Sequence, residues 1–245
     1  MIAEEKPRQR DRGEGGRAIL EAAAAARGLD LSADRARALE LTPVSRETLD
    51  RLDRFVALLL TWQRRINLIA PSTAPRIWTR HIADSLQLLV LAPQARLWVD
   101  LGSGGGFPGL VIACALAGQA GTQVHLVEAN AKKAAFLREA ARVTGAPVLV
   151  HGERIDAFLR KAPVGADVVT ARALAPLAVL LDYAYPLLKS GACGLFPKGQ
   201  DVESELTEAA KYWRIQASLA LSRTDPNARI VVVRGLEPKS RPPRH

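Results

Sequence analysis

Ten consecutive residues concentrate the chemistry of this chain: Asp100-Leu101-Gly102-Ser103-Gly104-Gly105-Gly106-Phe107-Pro108-Gly109. Residues without a Cβ let the backbone turn sharply and let a ligand approach its N–H groups. A carboxylate two residues before the first glycine can fix such a turn or meet a cationic ligand, and it would repel a diphosphate. The ring of Phe107 supplies an apolar wall. Two cofactor classes use turns of this kind. Residues 104–109 match GxGxxG, the dinucleotide fingerprint, a weak signal when taken alone. Residues 100–106 match the DxGxGxG turn of enzymes that use S-adenosylmethionine (AdoMet). Both classes need an acid at the end of the next strand for ribose hydroxyls, and Glu128, closing Val124-His125-Leu126-Val127, stands there. Ile155-Asp156 follows the run Val148-Leu149-Val150-His151, where an acid accepts from an adenine amino group while an apolar side chain packs on the ring. Asp156 is equally an early-helix acid favoured by the helix dipole, and Asp100 equally a structural carboxylate.

These residues must sit at strand ends. Leu97 to Leu101 is a short apolar run of the kind buried on both faces of a parallel sheet. Strands are predicted at 96–101, 123–128, 147–151, 167–171, 192–197, 215–222 and 229–234. Helices are predicted at 108–119, 131–144, 153–161, 175–188 and 201–211. Such alternation implies a parallel sheet with right-handed crossovers. The link 222–228 is too short for a crossover helix, so the last two strands should form an antiparallel hairpin. That hairpin is foreign to the six-strand dinucleotide pattern. Together with Asp100 and Phe107 it favours AdoMet.

Upstream the chain carries no strand pattern. Residues 17–27 are alanine-rich and helix-prone. Ser32 is expected to cap a second helix to Leu41, and Ser45 a third whose apolar positions Leu49, Leu52, Phe55, Val56 and Leu59 have helical spacing. A fourth helix is expected over residues 76–91, ended by Pro93. The expected division is a disordered arm (1–16), a helical extension (17–94), an AdoMet-binding core (95–236) and a flexible tail (237–245).

The chain has 245 residues and is 48% hydrophobic, enough for one large α/β domain with an extension. Its formal charge of +9 suits polyanionic partners. Residues 41–99 hold eight arginines against four acids, so the helical part is the most basic for its length. Neither Cys114 nor Cys193 lies in a metal-binding pattern, so no metal site is expected and both read as thiols of a reducing cytoplasm. No apolar run approaches the ~20 residues of a membrane span, and no signal peptide or assembly element is visible. A cytoplasmic monomer is expected.

Several pieces, in order, are similar to the bacterial glucose-inhibited division protein B family (GidB, also called RsmG). They are Asn67-Leu68-Ile69, Arg80-His81-Ile82-Ala83-Asp84-Ser85-Leu86, the stretch from Asp100 to Gly109, Glu153-Arg154-Ile155-Asp156, Thr170-Ala171-Arg172-Ala173 and Phe196-Pro197-Lys198-Gly199. The resemblance covers roughly residues 45–235. It implies a Rossmann-like class I methyltransferase: a mostly parallel seven-stranded sheet with a terminal antiparallel hairpin and added N-terminal helices. It implies AdoMet as methyl donor and N7 of a guanine in 16S rRNA of the small ribosomal subunit as acceptor, the guanine-527 type of activity. By the family pattern Gly102, Phe107, Ile155, Asp156 and Arg172 fall at AdoMet contacts, beside Asp100, Gly104 and Glu128 of the general reading. Phe107 replaces a leucine of some relatives, and Pro197 before Lys198 departs from the pattern.

Guanine N7 has a lone pair and no proton, so its methylation calls for alignment rather than a general base. No catalytic residue is therefore assigned, and Arg172 is a candidate pocket residue, with a surface ion pair as its other reading. Arg64, Arg65, Arg76, Arg80 and Lys198 are candidate phosphate contacts, or ordinary solvated cations. His81 and Asp84, at i and i+3, are expected to pair and clamp the helices to the core. The competing functions are a nicotinamide-dependent (NAD) oxidoreductase and a non-catalytic RNA-binding protein with the same fold.

Overall fold

The computed structural model describes residues 12–161 and 165–239. Its strands are β1 (Leu97–Leu101), β2 (Gln123–Val127), β3 (Val148–His151), β4 (Val168–Thr170), β5 (Cys193–Lys198), β6 (Trp213–Leu221) and β7 (Arg229–Pro238). They form one sheet in the order β3-β2-β1-β4-β5-β7-β6. Strands β1 to β5 run parallel, and β7 is antiparallel to both β5 and β6. The chain builds outward from β1 to β3 and then crosses back to β4. The sheet therefore has its topological switch between β1 and β4, and a crevice opens at the carboxyl ends of those strands.

Alternation along the strands sorts the core onto two faces. Trp98, Leu126, Val168, Leu195 and Val232 join one apolar cluster, and Val99, Val127, Val169, Phe196 and Val233 the other. The second face is covered by α7 (Ile155–Lys161), α8 (Leu177–Lys189) and α9 (Val202–Ala209). The first is covered by α5 (Gly109–Leu116) and α6 (Ala131–Thr144), and the N-terminal helices continue the same cluster. Helix α1 spans Arg12–Ala25, α2 Ser32–Leu41 and α3 Arg46–Trp62. Of the predicted stripe on α3, Leu52, Phe55, Val56 and Leu59 are fully buried and Leu49 partly so, and Leu60 joins them. Ser45 caps α3 by accepting from the Thr48 N–H at 3.2 Å. Arg35 of α2 forks onto Asp53 of α3 through two bonds of 2.8 Å.

The structure corrects four expectations. Residues 12–16, assigned to a disordered arm, are helical, because α1 begins at Arg12; residues 1–11 lie outside the described residues. Ser32 is the first helical residue rather than the cap, since Asp30 takes its N–H at 2.9 Å and its hydroxyl at 2.6 Å. The single helix expected over 76–91 is a relay: a 3₁₀ stretch (Pro71–Arg76), a π-helical stretch (Trp78–Ala83), one α-turn (α4, Asp84–Leu86) and a second 3₁₀ stretch (Gln87–Leu91). The backbone stays right-handed helical at the joints Ile77, Ala83, Asp84, Leu86 and Gln87, and only the hydrogen-bond spacing changes. Asp34 of α2 caps the start of the 78–91 run, accepting from the Trp78 N–H at 2.8 Å and the Thr79 hydroxyl at 2.6 Å from 44 residues away. Finally, Glu237 and Pro238 belong to β7 and the Lys239 N–H donates to the Tyr212 carbonyl at 2.8 Å, so the tail does not begin at 237; residues 240–245 lie outside the described residues.

Candidate active site

Asp100 lies in β1, just before the glycine turn. It is wholly buried. One carboxylate oxygen accepts from the Thr170 hydroxyl at 3.0 Å, the other from the Gly109 N–H at 3.2 Å. These bonds tie the end of β1 to β4 and to the start of α5. Burial pushes its pKa up to about 6, against the pull of its hydrogen bonds. Asp100 is not among the residues that line the crevice, and its bonds fix the turn.

Above it, Gly102 and Gly104 take left-handed conformations (φ +70° and +53°) that a side chain would strain. The Gly102 and Ser103 N–H groups both donate to the Val127 carbonyl, at 2.9 and 3.1 Å, stitching the turn to the end of β2. Glu128, the next residue, grips the Gly104 N–H at 2.9 Å with one oxygen and the Asn130 N–H at 2.7 Å with the other. The expected ribose acid is thus also the clamp of the glycine turn. A Cβ on Gly105 would stand 2.8 Å from the Leu68 carbonyl oxygen, and one on Gly102 would stand 2.6 Å from a Leu174 methyl. The turn is pinched between the N-terminal part and the loop after β4.

Phe107 is buried and shares a second centre with Arg172. The guanidinium carbon of Arg172 lies 5.2 Å from the Phe107 ring centroid, and the His81 ring lies 4.8 Å from it. Arg172 donates to the Arg80 carbonyl at 3.1 Å, to Asp84 at 3.2 Å and to Nδ1 of His81 at 2.6 Å. A guanidinium only donates, so Nδ1 is the acceptor and the ring proton sits on Nε2, facing the Thr73 hydroxyl at 2.9 Å. Burial, then the charges of Arg172 and Arg80, pull the His81 pKa down to about 3, which keeps the ring neutral at pH 7. Asp84 in turn accepts from Gln87 at 2.9 Å and from the Thr224 hydroxyl, in the β6–β7 turn, at 2.8 Å. His81 and Asp84 therefore do not pair with each other, because both converge on Arg172.

A crevice of about 1280 Å³ joins these pieces. Gly102, Gly104, Phe107, Glu128, Ile155, Asp156 and Arg172 all line it, as do Arg80 and Lys198. Asp156 is half exposed and held by Arg154 at 3.2 Å and Arg160 at 3.0 Å, which lowers its pKa. Lys198 is not a free cation: Nζ donates to the Ala175 carbonyl at 2.9 Å and to Glu205 at 2.7 Å. Two of its three N–H donors are thus held within the protein. Arg64, Arg65 and Arg76 are exposed, lie away from this crevice lining and form no ion pair among the described residues. Arg80 approaches Asp225 at 3.5 Å.

Comparison with known proteins decides what this crevice belongs to. Residues 48–229 match the family model for GidB, rRNA small subunit methyltransferase G. The chain belongs to the rRNA small subunit methyltransferase G family. Two proteins of that name are similar over most of their length: one from Bradyrhizobium sp. strain BTAi1, 63% identical over 84% of this chain and 93% of the relative, and one from Bradyrhizobium sp. strain ORS 278, 61% identical over 89% and 97%. Among solved structures, an O-methyltransferase from Bacillus cereus in complex with SAH superposes with a TM-score of 0.52 at 15% identity, over 88% of this chain and 99% of that one. The fold is that of a Rossmann-like class I methyltransferase.

Within this family framework the structure gathers the sequence-predicted residues of the β1, β2, β3 and β4 ends around one crevice and leaves the basic residues 64, 65 and 76 outside it. Sequence reasoning missed three contributors. Thr170 holds Asp100, Leu174 covers Gly102, and Glu205 anchors Lys198. Thr170 was within sight, two residues before Arg172 in the same motif. Glu205 gave no signal, since an acid in the first turn of a helix has an ordinary explanation. Among the described residues no group of three His, Cys, Asp or Glu side chains is placed to hold a metal ion, and no helix is long and apolar enough to cross a membrane.

Proposed function

We propose that this protein transfers a methyl group from AdoMet to N7 of a guanine in 16S rRNA of the small ribosomal subunit, of the guanine-527 type. The observation that carries the reading is membership of the methyltransferase G family across residues 48–229, which include all the residues lining the crevice except Ile230. The residues present suit the cofactor. The crevice exceeds the size of a nucleoside site. Gly102 and Gly104 line it, and Glu128 keeps lone pairs for ribose hydroxyls beyond the two N–H groups it holds. Ile155 and Asp156 would flank the adenine, with Phe107 and Arg172 forming the wall nearer β4. AdoMet supplies a methyl on positively charged sulfur, an electrophile that needs no further activation.

The chain's own task is then alignment and desolvation. Guanine N7 carries no proton, so no residue has to accept one. Neutral His81 fits this: it serves as a hydrogen-bond acceptor that positions Arg172, not as a base. Arg64, Arg65, Arg76 and Arg80 would contact RNA phosphates and set the register of the substrate. In this reading the protein acts as a monomer in the bacterial cytoplasm. The dinucleotide alternative gains nothing from the fold, because β7 inserted antiparallel between β5 and β6 is foreign to that pattern.

The test is transfer of labelled methyl from AdoMet to small subunits isolated from cells lacking this gene, followed by mapping of 7-methylguanine by chain cleavage. One labelled guanine in 16S rRNA is expected. Tight AdoMet binding with no transfer to naked rRNA, partial assemblies or mature subunits would instead favour the non-catalytic RNA-binding function.

A further inference from the structure

If N7 faces the methyl donor, the Watson–Crick edge of the guanine has to be held by other groups. That edge presents O6 as acceptor, then N1–H and the N2 amine as donors. Its complement is a donor set beside an acceptor. Lys198 at the end of β5 and Glu205 in α9 make such a pair on the crevice wall. Lys198 spends two of its three N–H donors on the Ala175 carbonyl (2.9 Å) and on Oε2 of Glu205 (2.7 Å). Oε2 of Glu205 also accepts from the Leu177 N–H at 2.6 Å. One carboxylate oxygen is therefore fixed twice over, while Oε1 has no hydrogen-bond partner among the described residues. The side chains are 11% and 27% exposed, buried enough to be held and open enough to be reached.

The placement also fits. Leu174 packs over Gly102 of the glycine turn, and its neighbour Ala175 receives Lys198. The pair therefore stands one short loop away from the turn, on the β5 side. Tyr183 and Pro197 line the same crevice and offer flat apolar surface to a base. In guanine N7 flanks O6 on the adjoining Hoogsteen edge, away from the N2 amine. A guanine gripped along its Watson–Crick edge by this pair leaves N7 free for the methyl donor.

We infer that Lys198 and Glu205 read the Watson–Crick edge of the target guanine, Lys198 donating to O6 and Glu205 Oε1 accepting from N1–H and the N2 amine. The inference rests on the guanine-N7 reading above. It requires an unpaired base, as single-stranded RNA recognition generally does. It also rejects adenine, which would set its own amine against the ammonium and its unprotonated N1 against the carboxylate.

The experiment uses small subunits reconstituted with 16S rRNA carrying guanine or inosine, which lacks the N2 amine, at the mapped position. For the wild-type protein, kcat/KM on inosine should fall about tenfold, the effect of removing one of the two donors that a charged acceptor receives from guanine. In Glu205→Gln an amide replaces the acceptor while an oxygen remains for Leu177. That variant should lose activity on guanine, keep its AdoMet affinity, and show a guanine-to-inosine ratio near one. Equal wild-type rates on guanine and inosine overturn the inference, and so does a Glu205→Gln protein that still prefers guanine tenfold. The wild-type comparison needs no variant and decides alone if Glu205→Gln fails to fold. Absence of transfer to the guanine subunit itself would overturn the guanine-N7 reading instead.

Discussion

Asp100 offers the sharpest quantitative test of how the glycine turn is held. Its carboxylate is wholly buried, and burial raises its pKa from 3.8 to about 6. A raised folded pKa means that the folded state binds the proton more tightly than the unfolded chain does. Ionisation therefore works against folding: there is no penalty below about pH 4, it grows between about pH 4 and 6, and it is level above. A shift of about two units corresponds to about 3 kcal/mol at pH 7. Asp100→Asn removes the charge and can keep both hydrogen bonds. Its oxygen accepts from Gly109, and its amide donates to the Thr170 hydroxyl, which accepts as readily as it donates. Urea unfolding followed by tryptophan fluorescence at pH 4, 5, 6 and 7 should show the variant gaining on the wild type by about 2 kcal/mol across that range. A constant difference between the two proteins would refute the reasoning, and a shrinking one would mean that the charged form stabilises the fold. Added AdoMet separates the two roles open to Asp100 on sequence grounds. A carboxylate that meets a cation loses its penalty when the cofactor binds; one that only fixes the turn keeps it.

Four further outcomes follow from the same contacts. Arg172→Ala leaves Asp84 buried without its cation and should destabilise the protein by about 3 kcal/mol in urea; in the same variant the His81 pKa, read by NMR, should rise from about 3. Gly105→Ala drives a methyl to 2.8 Å from the Leu68 carbonyl and should cost about 1–3 kcal/mol, measured as a lower Tm. Glu128→Gln can satisfy only one of the Gly104 and Asn130 N–H groups, so calorimetry should find AdoMet binding weakened about tenfold or more. Reversing Arg64 and Arg65 together to Glu should weaken RNA binding and flatten its salt dependence without changing AdoMet affinity, and an unchanged salt slope would remove both residues from the RNA surface.

Much of the fold was legible because its signals are local. The strands of the sheet are short apolar runs bounded by glycine and polar residues, and the parallel core with its antiparallel hairpin follows from strand–helix alternation plus one short link. The β1 turn, Glu128 and Arg172 were legible because strand ends in such sheets are where ligands sit. What escaped was set by partners distant in sequence. The run 78–91 follows the expected helical course, but its cap, the Asp34 carboxylate, comes from 44 residues upstream and leaves no local signal. Lys198 reads as a solvated cation until Glu205 and the Ala175 carbonyl come to meet it. Helical spacing correctly put His81 and Asp84 on one face, but it could not show that a third group, arriving from β4, would take the contact each was expected to give the other.

That third group also settles how the N-terminal helices relate to the sheet. Arg172, just past β4, holds the Arg80 carbonyl, His81 and Asp84, and Asp84 reaches on to Thr224 in the β6–β7 turn. Leu68 presses on Gly105, and Phe55 of α3 packs 5.4 Å from Phe107 at the end of the glycine turn. Residues from α3 and the 71–91 relay share one apolar cluster with α5, α6 and one face of the sheet. The helices are therefore part of the crevice wall rather than an attachment beside it. Removing them would expose that cluster and strip Arg172 of every hydrogen-bond acceptor it has among the described residues. The surface that carries the exposed arginines and the pocket that would hold the methyl donor are joined through the same few side chains. Arg80 is the exposed end of this network: its side chain reaches Asp225 while its carbonyl holds Arg172.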